Sequence, residues 1–330
     1  MRPAIAVVVL AALAALPEWA TNQYDIHLAT LIGVYWVLIA GLNLVVGYSG
    51  QLSIGHVGLL AIGAYAYAIL AGTYDWPPYV AMLAAGGVGG VCGLLLGLTS
   101  LRLPGFYFAM ATLAFSLIVS ELSLALGDLT GGGIGLPVPG FPPPAASPAG
   151  FYWLVLIVAS LITLLTWNVA RGMWGRALLA VRDSPVAAAG AGISIFRSKL
   201  TVFVFSSITA GIGGALFAAL QSYITPETFA FDIGLFFFVC IIIGGRGSIV
   251  GPLLGTVVLT ALPEAVAPLA RLGNFFYGLL LLVVVLLLPE GIGPLIAGLL
   301  ARFTRRSKPL SHVVQPDLDR LRAALAQARP

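Results

Sequence analysis

Charged residues are scarce in this 330-residue chain: only 8% of its positions are Asp, Glu, Lys or Arg, whereas 60% are apolar. Soluble domains carry about 25% charged residues on average, so this composition excludes a soluble monomer. A transmembrane helix needs about 20 mostly apolar residues to cross a hydrocarbon core of roughly 30 Å. The apolar runs are continuous rather than alternating, which excludes a transmembrane β-barrel. The chain is therefore predicted to be an all-α polytopic membrane protein.

The sequence also has few residues that carry chemistry. Its two cysteines, Cys92 and Cys240, lie within apolar runs, where they are expected to be core side chains. No His/Cys/Asp cluster has the spacing of a metal site, and neither a Walker-type phosphate loop nor a G-x-S-x-G turn occurs. We predict no cofactor and no catalytic residue. An ATPase, where one is required, must be a separate chain.

Apolar runs between polar or Pro/Gly breaks predict about ten crossings. They fall at residues 4–20, 26–47, 52–72, 78–98, 105–126, 151–169, 200–221, 232–245, 250–266 and 274–300. The predicted division is a transmembrane domain over 1–308 and a short polar tail over 309–330.

The basic residues predict the orientation. With the N-terminus inside, fifteen of the sixteen Lys and Arg residues lie on the inner side, and only Arg271 lies outside. The outer loops then hold mostly acidic residues, and the bias of Lys and Arg toward the cytoplasm sets topology. Both termini are therefore expected to be cytoplasmic, and the pI near 9.2 reflects topology rather than nucleic-acid binding. The segment 4–20 also resembles a cleavable signal peptide, which would leave every later loop on the same side.

Glycine and polar residues interrupt the apolar sequence from Gly41 to Ala68, where Gln51, Ser53 and His56 lie between the glycines at 47, 50, 55, 58 and 63. One interpretation is close helix packing, with polar side chains bonded across the interface. The other is a broken or re-entrant segment beside a water-filled route, where irregular backbone is tolerated. Under that second interpretation, the three polar residues are candidates for a translocation path.

The longest polar interruption runs from Arg171 to Lys199 and carries five of the sixteen basic residues. Ser184 and Pro185 predict a helix start, because Ser caps free N–H groups and Pro is tolerated in the first turn. An alanine run follows, which predicts a slender helix on the cytoplasmic surface. The candidate coupling residues are Arg182, Asp183, Ser184, Pro185, Ala187, Ala188, Gly190 and Gly192, the last two being candidate helix ends. The alternative is an ordinary basic loop that only fixes orientation.

Two further features stand out. Residues 241–255 contain a glycine-rich turn with Arg246, which predicts a close-packed hairpin between two spans rather than a phosphate cradle. Glu121 is an acidic residue near the outer end of its span. Ionisable residues within a membrane are functional candidates by default, although Glu121 is close enough to the boundary to reach water.

Three ordered segments, at 41–65, 180–218 and 241–264, resemble the LivM-type permease subunits of branched-chain amino acid ABC importers. The resemblance runs from about Thr30 to Gly293. It implies a permease domain in a bacterial cytoplasmic (inner) membrane that pairs with a sister permease, most simply as a heterodimer. It also implies two cytoplasmic ATP-binding subunits and an external solute-binding protein. The segment from Val181 to Lys199 then corresponds to the coupling helix that engages the ATPase.

The function expected from this resemblance is ATP-driven import of branched-chain amino acids or a similar small polar solute by alternating access. An ion- or proton-coupled secondary transporter or channel is the alternative. Such proteins place ionisable residues at the membrane midplane, and the middle spans here hold almost none. A membrane-embedded enzyme is the third option, but no pair of His or carboxylate residues converges within a span.

Overall fold

The computed structural model describes residues 17, 22–103, 105–245 and 247–266. The helices are α1 (Gln23–Asn43), α2 (His56–Ala68), α3 (Pro78–Ser100), α4 (Phe106–Ala125), α5 (Gly127–Thr130), α6 (Pro148–Arg171), α7 (Met173–Asp183), α8 (Pro185–Gly190), α9 (Ile195–Gln221), α10 (Phe231–Gly244) and α11 (Val250–Val266). The π-helical segments Leu44–Tyr48 and Ile69–Thr73 extend α1 and α2, and a 3₁₀ helix, Pro226–Phe229, precedes α10. The all-α polytopic prediction is confirmed.

Seven of the described helices are long and apolar enough to cross a membrane, and an eighth apolar helix, Val250–Leu262, is shorter. Each of the eight crossings predicted between residues 26 and 266 therefore has a helix. The crossings predicted at 4–20 and 274–300, like the tail at 309–330, lie outside the described residues. The largest differences in boundary are at α2, which begins four residues later than predicted, and α9, which begins five residues earlier.

Helix α9 lies at the centre of the described bundle and packs against α1, α2 and α3. The small residues of α9 permit this close packing. A Cβ placed on Gly211 would lie 2.5 Å from the carbonyl oxygen of Ala85 and 3.1 Å from Cα of Gly86, both on α3. On α2, a Cβ on Gly63 would meet the backbone of Gly211. Small residues at helix crossings allow such close backbone approach.

One face of each peripheral helix stays apolar and exposed, as expected for a chain in lipid or against another subunit. Helices α4 and α6 are each about one-third buried, whereas three-quarters or more of the most apolar part of α9 is buried. The core consequently follows α1, α2 and α9.

The loop at 127–150 connects α4 to α6 and is mostly irregular. It contains the single turn of α5 and a short strand, β1 (Leu136–Pro137), which pairs antiparallel with β2 (Tyr223–Ile224) after α9. The register pairs Leu136 with Ile224 and Pro137 with Tyr223. This ribbon fastens the loop to the end of the central helix.

Charge separates the two ends of the described bundle. The basic residues follow α3, end α6 or lie on α7 and in the first turns of α9: Arg102, Arg171, Arg176, Arg182, Arg197 and Lys199. The opposite ends of the helices, with the segments that join them, carry Asp25, Asp75, Asp128, Glu227 and Asp232. We refer to these as the basic end and the acidic end.

Candidate functional site

The irregular segment considered within residues 41–68 lies between α1 and α2, that is, between the second and third predicted crossings. Helix α1 continues as a π-helix to Tyr48, and helical structure resumes only at His56. The residues between them are not helical, although Gln51 and Ser53 are 6% and 0% exposed. We call Gly50–Gly55 the break segment. Apart from the exposed Gly50, it is buried or partly buried non-helical backbone of the kind that membrane proteins tolerate only inside protein or beside a cavity.

His56 holds the start of α2 against α9. Its Nδ1 lies 2.7 Å from Oγ of Ser53, and its Nε2 lies 2.8 Å from Oγ of Ser206. The imidazole also packs edge-on against the ring of Phe203. Both ring nitrogens are therefore engaged by hydroxyl groups, which can donate or accept as the tautomer requires. This geometry makes His56 an interhelical connection between the break segment and the central helix.

Helix α4 holds the other side of the break segment. The backbone N–H groups of Ile54 and Gly55 point at Oγ1 of Thr112, each at 3.4 Å. A Cβ on Gly55 would collide with the backbone of Thr112. Because Ser206 lies eleven residues into α9, the start of α2 is about 16 Å along the axis of that helix. The break segment therefore returns well into the bundle before α2 begins.

Two buried amide side chains, one within the break segment and one seven residues before it, have an oxygen that is unpaired among the described residues. Nε2 of Gln51 donates to Oγ of Ser49 at 2.7 Å, and Nδ2 of Asn43 donates to the carbonyl of Ser248 at 2.8 Å. The other amide atom of each, Oε1 of Gln51 and Oδ1 of Asn43, is buried with no donor among the described residues. Both are polar acceptors adjacent to irregular backbone.

The predicted surface helix is present as α8. Oγ of Ser184 accepts from the N–H of Ala187 at 3.3 Å, Pro185 occupies the first turn, and Gly192 follows the helix with φ +79°. The cap and start of the helix are confirmed, because both depend on residues adjacent in sequence. The preceding helix α7 was not predicted.

The two faces of α8 differ in exposure. Val186 is 84% exposed, and Ala187, Ala189 and Gly190 are also exposed. Ala188 is only 2% exposed, so it packs against the protein and seats the helix. The surface that a partner can reach is thus formed by Val186 and its neighbours rather than by Ala188.

Arg182 brings the three sequence segments together at the basic end. From the last turn of α7, its Nη1 donates to the carbonyl of Gly47 at 2.8 Å, while its Nε donates to Oδ1 of Asp183 at 3.1 Å. A Cβ on Gly50 would lie 2.7 Å from Cγ of Arg182, and one on Gly247 would lie 3.2 Å from Nη1. The arginine therefore touches the end of α1, the break segment and the turn between α10 and α11.

That last turn is the close-packed hairpin predicted from residues 241–255. Helices α10 and α11 follow each other directly, and glycines 244 and 251 bring their backbones into contact. Its proximity to the coupling segment was not predictable, because nothing in the local sequence specifies it. Arg246 itself lies outside the described residues.

The predicted path candidates divide into two groups. Gln51, Ser53 and His56 lie together on or beside the break segment, whereas Glu121 is exposed on the surface of α4. The polar partners that complete the site, Thr112 and Ser206, were missed. Each is one of four or more Ser and Thr residues in its helix, so its polarity alone did not distinguish it.

Comparison with known proteins identifies the family. A family model described as "Branched-chain amino acid transport system / permease component" matches residues 26–285. The chain belongs to this family. The match covers every element described above from α1 to α11, including the break segment and α8.

Similarity to individual proteins supports the same family assignment. The chain is 32% identical over 301 residues to the "High-affinity branched-chain amino acid transport system permease protein LivM" of Salmonella typhimurium, covering 83% of this chain and 71% of the relative. It is 31% identical over 315 residues to the protein of the same name from Escherichia coli, covering 87% and 74%. The "Fructose import permease protein FrcC" of Rhizobium meliloti is 26% identical over 235 residues, covering 68% and 62%. No solved structure matches the chain.

Family membership settles the class of the protein. It is an ABC permease of the LivM type, a multi-pass protein of the inner membrane, and its family consists of transport permease components. The predicted resemblance is thereby confirmed. The chemistry expected of the chain is the binding and passage of a solute.

Proposed function

We propose that this protein is one of two membrane subunits of an importer driven by ATP, and that α8 receives the force of ATP hydrolysis. The observation that supports this proposal most directly is the exposed apolar face of α8 at the basic end, where Val186 is 84% exposed. Val186 forms one contiguous exposed surface with Ala187, Ala189 and Gly190, and a contiguous exposed apolar surface is typical of an interaction site. Its partner is one of two cytoplasmic ATP-binding subunits, and a sister permease completes the membrane domain as a heterodimer.

The basic end faces the cytoplasm in this proposal, and both termini lie there as well. The described Lys and Arg residues all lie at that end, and such residues are enriched in cytoplasmic loops. The acidic end, with the loop at 127–150 and its ribbon, then faces the external solute-binding protein. Because α8 lies between α7 and α9, moving α8 also moves the central helix of the bundle.

The proposed path follows the break segment. An amino acid carries both charges, so its route must replace the water it loses. Gln51 and Ser53 offer polar groups at a buried position beside irregular backbone, and His56 fixes that position against α9. Apolar side chains dominate the surrounding helices, which suits an aliphatic substrate. The names of the LivM relatives indicate branched-chain amino acids, and a similar small polar solute would fit the same description. Glu121 is the proposed outer contact.

Uptake by the assembled transporter tests this proposal. The protein is co-expressed with its sister permease and ATP-binding subunits and reconstituted in proteoliposomes with the solute-binding protein. We expect radiolabelled leucine to accumulate only with ATP and to keep accumulating after a protonophore is added. Accumulation driven by a proton gradient without ATP would instead support the secondary-transporter alternative.

The orientation makes a separate prediction. A cysteine introduced at Ala191, in the exposed turn after α8, should react in intact cells only with a membrane-permeant thiol reagent. A cysteine at Ile134, which is 81% exposed at the acidic end, should react with an impermeant reagent as well. The opposite pattern would place α8 outside and remove the basis for coupling.

A further inference from the structure

The carbonyl of Gly47 lies at the C-terminal end of a helix, where no N–H group of the same helix is available to it. The last carbonyl groups of a helix have no N–H from their own helix, so another group must satisfy them. Here the N–H of Ser49 returns to Leu44 and that of Gln51 returns to Val45, which leaves the carbonyl of Gly47 to Arg182. A cation is also favourable at this end, because a helix C-terminus carries partial negative charge.

Arg182 extends its guanidinium toward the rest of the protein, although about a third of its side chain is exposed. Its side chain is 32% exposed, against 68% for that of Asp183. The stem lies across Gly50, which has φ +70° and where a Cβ would lie 2.7 Å from Cγ of Arg182, and the guanidinium reaches between Gly47 and Gly247. Arg182 therefore contributes its donors to contacts inside the chain.

We propose that Arg182 is a positioning residue that fastens the coupling helices α7 and α8 to the break segment. This inference rests on the proposed ATP-driven function and assigns Arg182 a role other than contact with the ATP-binding subunit. When that subunit displaces α8, Arg182 carries the displacement to Gly47 and Gly50 through its hydrogen bond and its packed stem.

The break segment is suited to receive this movement, because it is held at both ends and lacks helical hydrogen bonds between them. One end is held by Arg182, and the other by the contacts of Ser53 and His56 with α9 and of Gly55 with α4. A displacement at Gly50 must therefore be absorbed by the few non-helical residues that also carry Gln51 and Ser53. These are the residues proposed to line the path.

The first test replaces the arginine. In the assembled transporter, Arg182→Gln removes the charge and the reach to Gly47 but leaves the exposed face of α8 intact. We expect the ATP-binding subunits to co-purify normally and to hydrolyse ATP near the wild-type rate. ATP-driven leucine uptake should fall by about tenfold or more, the scale of a coupling free energy between sites. The control is Arg102→Gln, which removes a basic residue of the same end from the turn after α3.

A labelling experiment separates coupling from mere folding. Leu52, a partly buried residue of the break segment, is replaced by Cys after Cys92 and Cys240 are changed to Ala. In the otherwise unchanged transporter, ATP should alter the rate at which a maleimide labels Cys at this position. With Arg182→Gln, labelling should proceed at one rate whether or not ATP is present.

The variant Gly50→Ala tests the contact between Gly50 and Arg182 while keeping the arginine. The new methyl group would displace the Arg182 stem, so uptake and ATP-dependent labelling should fall as they do in Arg182→Gln. The matched control is Gly105→Ala. Gly105 also has positive φ, at +51°, but a Cβ there meets nothing within 4 Å, so it carries the backbone strain alone.

The outcomes are distinct. Normal uptake in Arg182→Gln, or loss of the ATP-binding subunits from it, would overturn the inference, the second result showing that Arg182 is a docking contact. If Arg182→Gln does not insert, Gly50→Ala decides, and equal defects in Gly50→Ala and Gly105→Ala would also overturn it. Absence of ATP-driven uptake in the wild type would count against the proposed function itself.

Discussion

Replacing Val186 by Glu is expected to stop ATP-driven uptake while the protein still inserts into the membrane. The side chain is 84% exposed on α8, so the folded permease alone tolerates a charge at this position. In the assembled transporter the same side chain would be buried against the ATP-binding subunit, and an unpaired buried charge is strongly unfavourable. Substitution of a residue that dominates an interface costs about 2 kcal/mol or more, so uptake should fall about 30-fold or further.

Two measurements check this expectation: co-purification of the ATP-binding subunits with the membrane subunits, and leucine uptake in proteoliposomes. Both should decline together in Val186→Glu. Ile134→Glu is the matched control, since Ile134 is 81% exposed but lies in the loop at the acidic end. It should retain the ATP-binding subunits. Full retention of those subunits by Val186→Glu would show that α8 is not the docking surface.

Much of the fold follows from the sequence because membrane spans and helix caps are local signals. A continuous apolar run is sufficient to predict a span, and Ser184 followed by Pro185 is sufficient to predict the start of α8. The early start of α9 was missed because Arg197 and Lys199 read as loop residues. Both are good helix formers, and long basic side chains can reach the membrane surface from a helix end.

The site was less predictable because its contacts join distant parts of the chain. His56 and Ser206 are hydrogen-bonded although they are 150 positions apart in the sequence. Arg182 and Gly47, whose carbonyl it binds, are 135 positions apart. The sequence marked both segments as unusual, yet it contained no information about the register that brings them together. The acceptor at Gly47 is a backbone carbonyl, so no residue type could have indicated it.

The second large effect concerns the crossing of α2, α3 and α9. Gly211→Leu should greatly reduce the amount of folded protein, because its side chain has no space between the three helices. Even a Cβ at Gly211 would lie 2.5 Å from the carbonyl oxygen of Ala85 and 3.1 Å from Cα of Gly86. Overpacking a close-packed core by a few carbons costs about 1–3 kcal/mol, occasionally more, and here backbone rather than a movable side chain must shift.

Gly87→Leu provides the matched comparison, because it introduces the same side chain on α3, one residue beyond Gly86. Gly87 is exposed, and a Cβ at this position meets nothing within 4 Å. Leucine is also a better helix former than glycine, so Gly87→Leu should retain or slightly raise the melting temperature. Gly211→Leu should lower it sharply and reduce the yield in detergent. Since α9 also carries Ser206, the displaced helix would separate His56 from its partner. Equal melting temperatures for the two variants would mean that the helices do not cross at Gly211.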